Sequence, residues 1–314
     1  METAPGFEWE VCISDNCSAD NTEEVVRKAQ KKINIKYHKN ETNLGIPRNF
    51  LNVVSMATGE FAWLIGDDDL LLPHTLKKMA LLFAENPAVD FFYVNSYHLT
   101  TEFVFSHPQP FDTALLPAKM ESFSKYKQTG RIPFIDLIDP KISFDFLGGM
   151  FLAVFKRNKW IENAKALDPA AIVDPRTFSH FDNTFPHVKI FSKAFADSQA
   201  YFQADALSVC LTGAREWAPM YPFVASVRLV EALGEYRKNG LPYLRYLWCR
   251  NFALNSFIPH FVSMYIHRKR SGFAYINPYR LLISNCLFPN VYLSVIYFFV
   301  RRFKYSFGKK NAVD

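Results

Sequence analysis

The sequence predicts an α/β fold with a mainly parallel sheet flanked by helices, followed by a helical, basic region. Three observations carry this. From Trp9 to Asn95, short apolar runs of strand length alternate with helix-length segments and turn-forming residues. One run, Phe61-Ala62-Trp63-Leu64-Ile65, stops at Gly66-Asp67-Asp68-Asp69, as a buried strand does when it ends in a charged turn. From Trp217 onward the pattern turns helical, with breaks near Gly240-Leu241-Pro242, Ser271-Gly272 and Pro289.

Each element has a local reason. Trp9 to Asp15 reads as a strand, and Asn16 to Asn21 as a turn. Ser18 or Asp20 can cap a helix running to about Ile33. Ile33 to Tyr37 alternates apolar and polar, which suits a strand. Asn43-Leu44-Gly45 turns the chain into a helix from Pro47 to Ala57, with proline in the first turn. Glu60 to Ile65 is the strand that feeds the acidic turn. Pro73 opens a helix to about Glu85, and Val89 to Asn95 is a further apolar strand. Residues 97–145 are irregular and rich in Pro and Phe. Phe146 to Phe155, containing Gly148-Gly149, is expected to be a strand, Phe185 to Phe195 a helix, and Ala200 to Leu211 a strand.

The 314 residues are globular in composition, 49% hydrophobic and 21% charged. Five scattered cysteines argue for a reducing compartment and against a disulfide framework. Cys12 and Cys17 lack the partners of a zinc site. The net charge of +6 hides an asymmetry: Tyr236 to Asp314 carries 13 Lys and Arg against one acid, with 19 aromatic residues. Such a segment suits nucleic acid or an anionic membrane surface. Interleaved apolar runs such as Val291 to Val300 favour the membrane, and no aromatic RNA-binding motif is present, so nucleic acid is not expected. Arg301, Arg302, Lys304, Lys309 and Lys310 follow the Leu287–Val300 run directly. No run reaches the about 18–20 apolar residues of a spanning helix, and no signal peptide is read at the start.

Three adjacent carboxylates repel one another, and a hard divalent cation removes that repulsion while taking carboxylate and phosphate oxygens. The plainer alternative is a solvated acidic turn.

Four segments then fall in the order of a known family. They are Val11-Cys12-Ile13-Ser14-Asp15 with the following turn to Thr22, Asn43-Leu44-Gly45-Ile46-Pro47-Arg48-Asn49, Thr58 to Asp69 with Pro73, and Phe146-Leu147-Gly148-Gly149. Over roughly residues 9–215 the chain resembles family 2 glycosyltransferases of the GT-A fold, close to abequosyltransferase-like enzymes of bacterial surface-polysaccharide (O-antigen-like) assembly. The resemblance implies a division into a glycosyltransferase domain, 1–215, and a helical membrane-associating region, 216–314. It implies that Asp15 contacts the nucleotide base and that Arg48 lies near the nucleotide, where it pairs with anionic oxygens. Asp68 falls on the metal-binding aspartate. Asp69 is taken as the second metal ligand and Asp67 as nucleotide-binding, with Asp67 and Asp69 as rivals for the second ligand, because Gly66 replaces the first aspartate of the motif. Gly148 and Gly149 correspond to the acceptor-binding loop, and a strand kink or bulge is their other reading. Asp182 is the expected general base, with Asp174 and His187 as competitors. The family also places an apolar strand and a helix ahead of Asp15. Only eight residues precede Trp9, so the first strand and helix of the fold are expected to be missing.

The expected activity is inverting, metal-dependent sugar transfer using Mg²⁺ or Mn²⁺. The donor would be a nucleotide-diphosphate sugar and the acceptor a polyprenol-linked saccharide, at the cytoplasmic face of the plasma membrane. The alternatives are a non-catalytic remnant that binds membrane or a partner, and another Mg²⁺-dependent phosphoryl enzyme. The second alternative is weakened by the lack of a Gly-x-x-x-x-Gly-Lys-Ser/Thr loop.

Overall fold

The computed structural model describes residues 7–213 and 217–310, with side chains as far as Phe303. The boundary at 215/216 drawn from the sequence, and the side chains of Lys304, Lys309 and Lys310, lie outside the described residues.

The first half alternates as expected except for the short β4, which the sequence did not foresee: β1 (Val11–Asp15), α1 (Thr22–Gln30), β2 (Ile35–Lys39), α2 (Ile46–Met56), β3 (Phe61–Trp63), β4 (Leu70–Leu71), α3 (Thr75–Glu85) and β5 (Phe91–Thr100). Asp20 accepts from the Thr22 amide at 3.0 Å, at the start of α1. Gly45, at φ +77°, turns the chain into α2 through a left-handed conformation that side chains resist. Short β6 (Glu121–Ser122) and β7 (Gly130–Pro133) cross the irregular middle. Then come β8 (Ala153–Lys156), α4 (Arg157–Asn163), α5 (Phe181–Thr184), α6 (Pro186–Ala194) and β9 (Gln199–Thr212). The tail holds α7 (Leu229–Lys238), α8 (Tyr243–Ala253), α9 (Phe257–Ile266), α10 (Pro278–Asn285) and α11 (Pro289–Lys310).

The α/β class holds, but the sheet is mixed where a mainly parallel one was expected. Among the described residues only β1–β2 and β5–β9 pair in parallel; β3–β8, β8–β5, β5–β6, β7–β9 and β9–β4 are antiparallel. The sheet also falls into two pieces. β1 and β2 stand apart from a seven-stranded sheet ordered β3-β8-β5-β9-β4 along its main path. The expected strand Phe146–Phe155 shrinks to Ala153–Lys156. Phe146 and Leu147 lie at φ +50° and +65°, and Met150–Leu152 forms a 3₁₀ turn. These residues are apolar because they are buried in a compact turn, not because they alternate along a strand.

β5 explains its own sequence. Its first six residues are buried, so both faces are covered and the run reads as continuously apolar. Phe91 and Tyr93 face a large core with Phe155, Phe191 and Phe195, while Phe92 and Val94 pack on Met79 and Leu82 of α3. The tail adds to the same large core through Phe223, Leu233, Tyr236 and Met264.

β5 and β9 hold register from Phe91/Ala200 to Val94/Gln203 and again from Ser96/Ser208, so β9 loops outward between. Fully buried Asn95 stitches that irregularity. Its amide donates to Ser124 O (2.9 Å) and Ala204 O (2.8 Å), and its oxygen accepts from Ser96 N and Ser124 N. Replacing it by alanine strands buried backbone groups in the sheet interior. Asn95→Ala should cost about 2–4 kcal/mol in a denaturant titration. A loss of well under 1 kcal/mol would show that the backbone alone holds the shift.

Candidate functional site

The acidic turn sits where β3 ends. The Asp69 amide donates to Gly66 O at 3.3 Å, closing a tight turn. Asp67 and Asp68 are exposed and Asp69 is half-buried. Asp69 is fixed from across the sheet: Leu211 N of β9 donates to its Oδ1 at 3.2 Å. A methyl group on Gly66 would lie 2.6 Å from Asp68 Oδ1 and 3.4 Å from Asp69 Oδ2. Two carboxylates therefore face one small space that only glycine leaves open. Burial, then the neighbouring Asp68 charge, pushes the Asp69 carboxyl up to about 6, against the pull of the Leu211 and Gly66 amides. A divalent cation fits this pair, because it removes the repulsion that the fold imposes. Among the described residues no three His, Cys, Asp or Glu converge on a metal position. The close approach to Gly66 is made by Asp68 and Asp69, not by Asp67.

Asp15 ends β1, as the sequence implied, but its carboxylate is turned into the protein. Oδ1 accepts from Ser18 N and Oδ2 from the Tyr37 hydroxyl, both at 2.7 Å. Burial alone would raise it; the Tyr37 and Ser18 hydrogen bonds outweigh this and leave it below the ordinary carboxylate range. Around it runs a network the sequence reading did not isolate. Asn49 and Asn52, on α2, reach Ser14, and both also bond Asn40. Asn16 accepts from Leu44 N. Scattered asparagines give no periodic signal, and only the fold gathers them. Arg48, on the same helix, is exposed and makes no salt bridge among the described residues, so its guanidinium is open to an anion.

Gly148 and Gly149 lie in a turn with Asp145, not in a strand. Side chains there would collide: Cβ atoms would sit 3.0 Å from Asp145 O at Gly148, and 2.9 Å from the Phe151 ring at Gly149. The glycines are needed for this packing, and the space above them is taken by protein. Asp145 organises the turn. Oδ2 accepts from Gly149 N and Oδ1 from the Ser143 hydroxyl, both at 2.7 Å. The residue as a whole keeps some exposure, but its carboxyl is buried, and that burial raises it above the ordinary range. An acid inside the apolar run Ile142 to Leu147 matches no motif, so sequence reasoning missed it.

The expected base, Asp182, is otherwise occupied. Both oxygens accept from Lys189 Nζ (2.9 and 2.7 Å), and Oδ2 also takes the Asp168 amide at 2.6 Å. With its side chain only 6% exposed, it is the buried anchor between α5 and α6. Its competitors are engaged as well. Arg176 clasps Asp174, with Ser179 and His180 adding contacts, and holds it well below the ordinary range. His187 donates from Nε2 to Gly148 O at 3.0 Å, and burial pushes it down to about 4, so it is a neutral imidazole that braces the glycine turn.

Residues 2–150 match the family model described as glycosyl transferase family 2. A stretch of 69 residues is 46% identical to abequosyltransferase RfbV of Salmonella typhimurium, covering 21% of each chain. Another of 83 residues is 39% identical to the poly(ribitol-phosphate) β-N-acetylglucosaminyltransferase TarS of Staphylococcus aureus, covering 26% of this chain and 14% of that one. The matched stretches thus span about a fifth or less of these relatives. The crystal structure of S. aureus TarS 1–349 with UDP aligns over 80% of this chain and 62% of its own, at 17% identity and a TM-score of 0.49. The mannosyltransferase PcManGT of Pyrobaculum calidifontis, in complex with GDP-Man and Mn²⁺, aligns over 91% and 76%, at 14% identity and a TM-score of 0.44.

The raised Asp69 carboxyl makes a stability prediction. The folded group titrates near 6 and the unfolded one near ~4, so the folded state holds the proton more tightly. Metal-free stability should fall as pH rises from about 4 to about 6 and then level off. Asp69→Asn should stabilise the metal-free protein by about 1–2 kcal/mol at pH 7 and leave it unchanged at pH 4. Thermal unfolding in chelator at the two pH values measures this; equal shifts at both would refute it.

Proposed function

We propose that this chain, whose residues 2–150 belong to glycosyltransferase family 2, transfers a sugar with inversion from a nucleotide-diphosphate donor to a saccharide acceptor. The observation that carries the reading is the Asp68–Asp69 pair facing the space above Gly66, within the segment that matches the family. Asp68 and Asp69 would hold Mg²⁺ or Mn²⁺. Bound there, the cation would neutralise charge on the departing diphosphate. Arg48 offers a second cation to the donor phosphates, and Asp15 braces the loop beneath the nucleotide.

In a single displacement the acceptor oxygen bonds to the anomeric carbon as the diphosphate leaves, and a base takes the hydroxyl proton. Among these carboxylates, Asp145 has the environment a base needs. Burial raises its proton affinity, and it is bonded to the glycine turn that the family pattern links to the acceptor. Asp182 would act structurally.

With a matched donor and Mn²⁺, Asp68→Asn should abolish metal-dependent nucleotide binding. Asp145→Asn should leave that binding intact and lower turnover by about 10²-fold or more. Asp182→Asn should instead destabilise the fold by about 2–4 kcal/mol, because it leaves Lys189 without its buried partner. A dead but fully stable Asp182→Asn protein, beside an active Asp145→Asn one, would return the base to Asp182.

The acceptor is taken to be lipid-linked, and the tail to lie on an anionic membrane at the cytoplasmic face. No single described helix is long and apolar enough to cross a membrane. The pair α10 and Pro289–Phe303 of α11 passes such a test together, bent by 100°. Apolar side chains stand outward on this pair: Ile283 is 73% exposed, Leu287 91% and Phe299 64%. The surface takes in α9 as well. On α9, Val262, Tyr265 and Ile266 are exposed, directly before exposed Arg268, Lys269 and Arg270. Arginine and lysine beside outward aromatics suit an in-plane anchor. Removing residues 287–314 should reduce sedimentation with anionic liposomes several-fold. High salt should weaken but not abolish binding of the intact chain, since each base near the surface contributes about 1 kcal/mol. Equal sedimentation of both chains would mean that the tail only caps its own core.

A further inference from the structure

A cavity of about 790 Å³ opens against His98 of β5, residues 121–128 and residues 140–144; neither the acidic turn nor Asp15, Arg48, Asp145 or Asp182 lines it. Its wall is a column of stacked rings. His98 lies 4.6 Å from Phe123 at 25°, and Phe123 lies 4.7 Å from Phe144 at 22°. The column ends in an open face, because Phe144 is 42% exposed. Lys125, Lys127 and Lys141 stand around the opening, all exposed. Glu121 is the one acid among the lining residues, 3.2 Å from Lys125. Lys141 also lies 5.9 Å from the Trp248 ring. The opening therefore keeps an excess of positive charge over an aromatic platform.

The position follows from sheet register. His98 pairs with Cys210, and residues in register point to the same side of a sheet. The Cys210 thiol reaches the Asp69 carboxylate. The neighbours Tyr97, Leu99, Val209 and Leu211 pack together on the opposite side. The ring column and Asp69 thus share one face. Asp145 joins them through the chain itself, since it directly follows Phe144, and Phe123 also meets the ring of Phe151.

We propose that this cavity binds the acceptor of the transfer reaction, and that the acceptor is an anionic saccharide bearing phosphate or carboxylate groups. This rests on the glycosyl-transfer reading for the word acceptor, but not for the ligand class. A sugar ring presents a face of C–H groups that packs on an exposed aromatic plane, as ligand pockets combine apolar walls with a few polar groups. Three lysines then reward negative charge at flexible distance. The volume lies within the about 300–1,000 Å³ range of small-ligand pockets, room for more than one sugar residue.

The test uses the full chain and four probes: glucose 6-phosphate, trigalacturonic acid, neutral maltotriose, and UDP or GDP with Mn²⁺. Binding is read by saturation-transfer NMR. At least one charged probe should bind about tenfold or more tightly than maltotriose, and which one separates phosphate from carboxylate. Substituting Lys125, Lys127 and Lys141 by alanine together should cost that probe about tenfold, as three exposed ion pairs would. Phe144→Ala should weaken charged and neutral probes alike. Nucleotide binding should be unchanged in both variants, and nucleotide should not displace the charged probe. Equal binding of neutral and charged saccharides, an unaffected lysine variant, or displacement by nucleotide overturns the proposal. If the saccharides behave as expected but no nucleotide binds, the glycosyl-transfer reading fails while the anionic-saccharide site stands.

Discussion

Strand β9 is the constraint on which the rest of the site depends. It pairs with β5 along nearly its whole length, with β7 near its start, and with β4 near its end. Through Leu211 it grips Asp69, and through Leu207 it accepts from Leu72 N and the Thr75 hydroxyl, so it also sets the start of α3. The acidic turn lies about 140 residues away in sequence. Locally only Gly66 holds the Asp69 carboxylate; the second hold comes from Leu211 of β9. The irregularity pinned by Asn95 shifts the end of β9 relative to β5, and so sets which β5 residue lies beside Cys210, while the β4–β9 pairing brings Leu211 to Asp69. A slip by one residue would turn Cys210 and His98 to opposite faces and separate the acidic turn from the ring column.

That placement has an electrostatic consequence. The fold holds Asp69 partly out of water, beside Asp68, at a cost visible in its raised proton affinity. A solvated acidic turn, the plain alternative from sequence, would show exposed carboxylates free to swing apart. Asp67 and Asp68 are exposed, but Asp69 is not free to move, since Leu211 and Gly66 both hold it. Repulsion built into a fixed backbone suits a charge that arrives with substrate. It is also consistent with a site that is short of protein ligands.

The sequence disclosed what local physics determines. Strand and helix positions in residues 9–95 followed from apolar periodicity and turn residues, and came out within a few residues. Strand direction did not, because pairing between β5 and β8 or β4 and β9 is settled by contacts far apart in the chain. The turn at Phe146-Leu147 was misread as strand because burial on all sides looks like a buried strand when only hydrophobicity is counted. The asparagine network and Asp145 escaped for another reason. A polar residue becomes informative only when its partners are known, and those partners lie on separate elements. The Asp182 motif position was legible, but its ion pair with Lys189 was not.

The tail is more than an attachment behind a self-sufficient domain. The Tyr236 hydroxyl, on α7, donates to Phe146 O at 3.0 Å, inside the turn that carries Asp145 and the two glycines. Arg228, 5% exposed, donates to Phe178 O and Ser179 O, just ahead of α5. Burying this arginine and tyrosine carries a desolvation cost that these backbone carbonyls help offset, together with Glu231 beside Arg228 at 2.6 Å. The inner helices therefore brace the turn that carries Asp145 and the approach to α5, while α9, α10 and α11 also turn apolar side chains outward. The turn that positions Asp145 and the inner helices thus share one core.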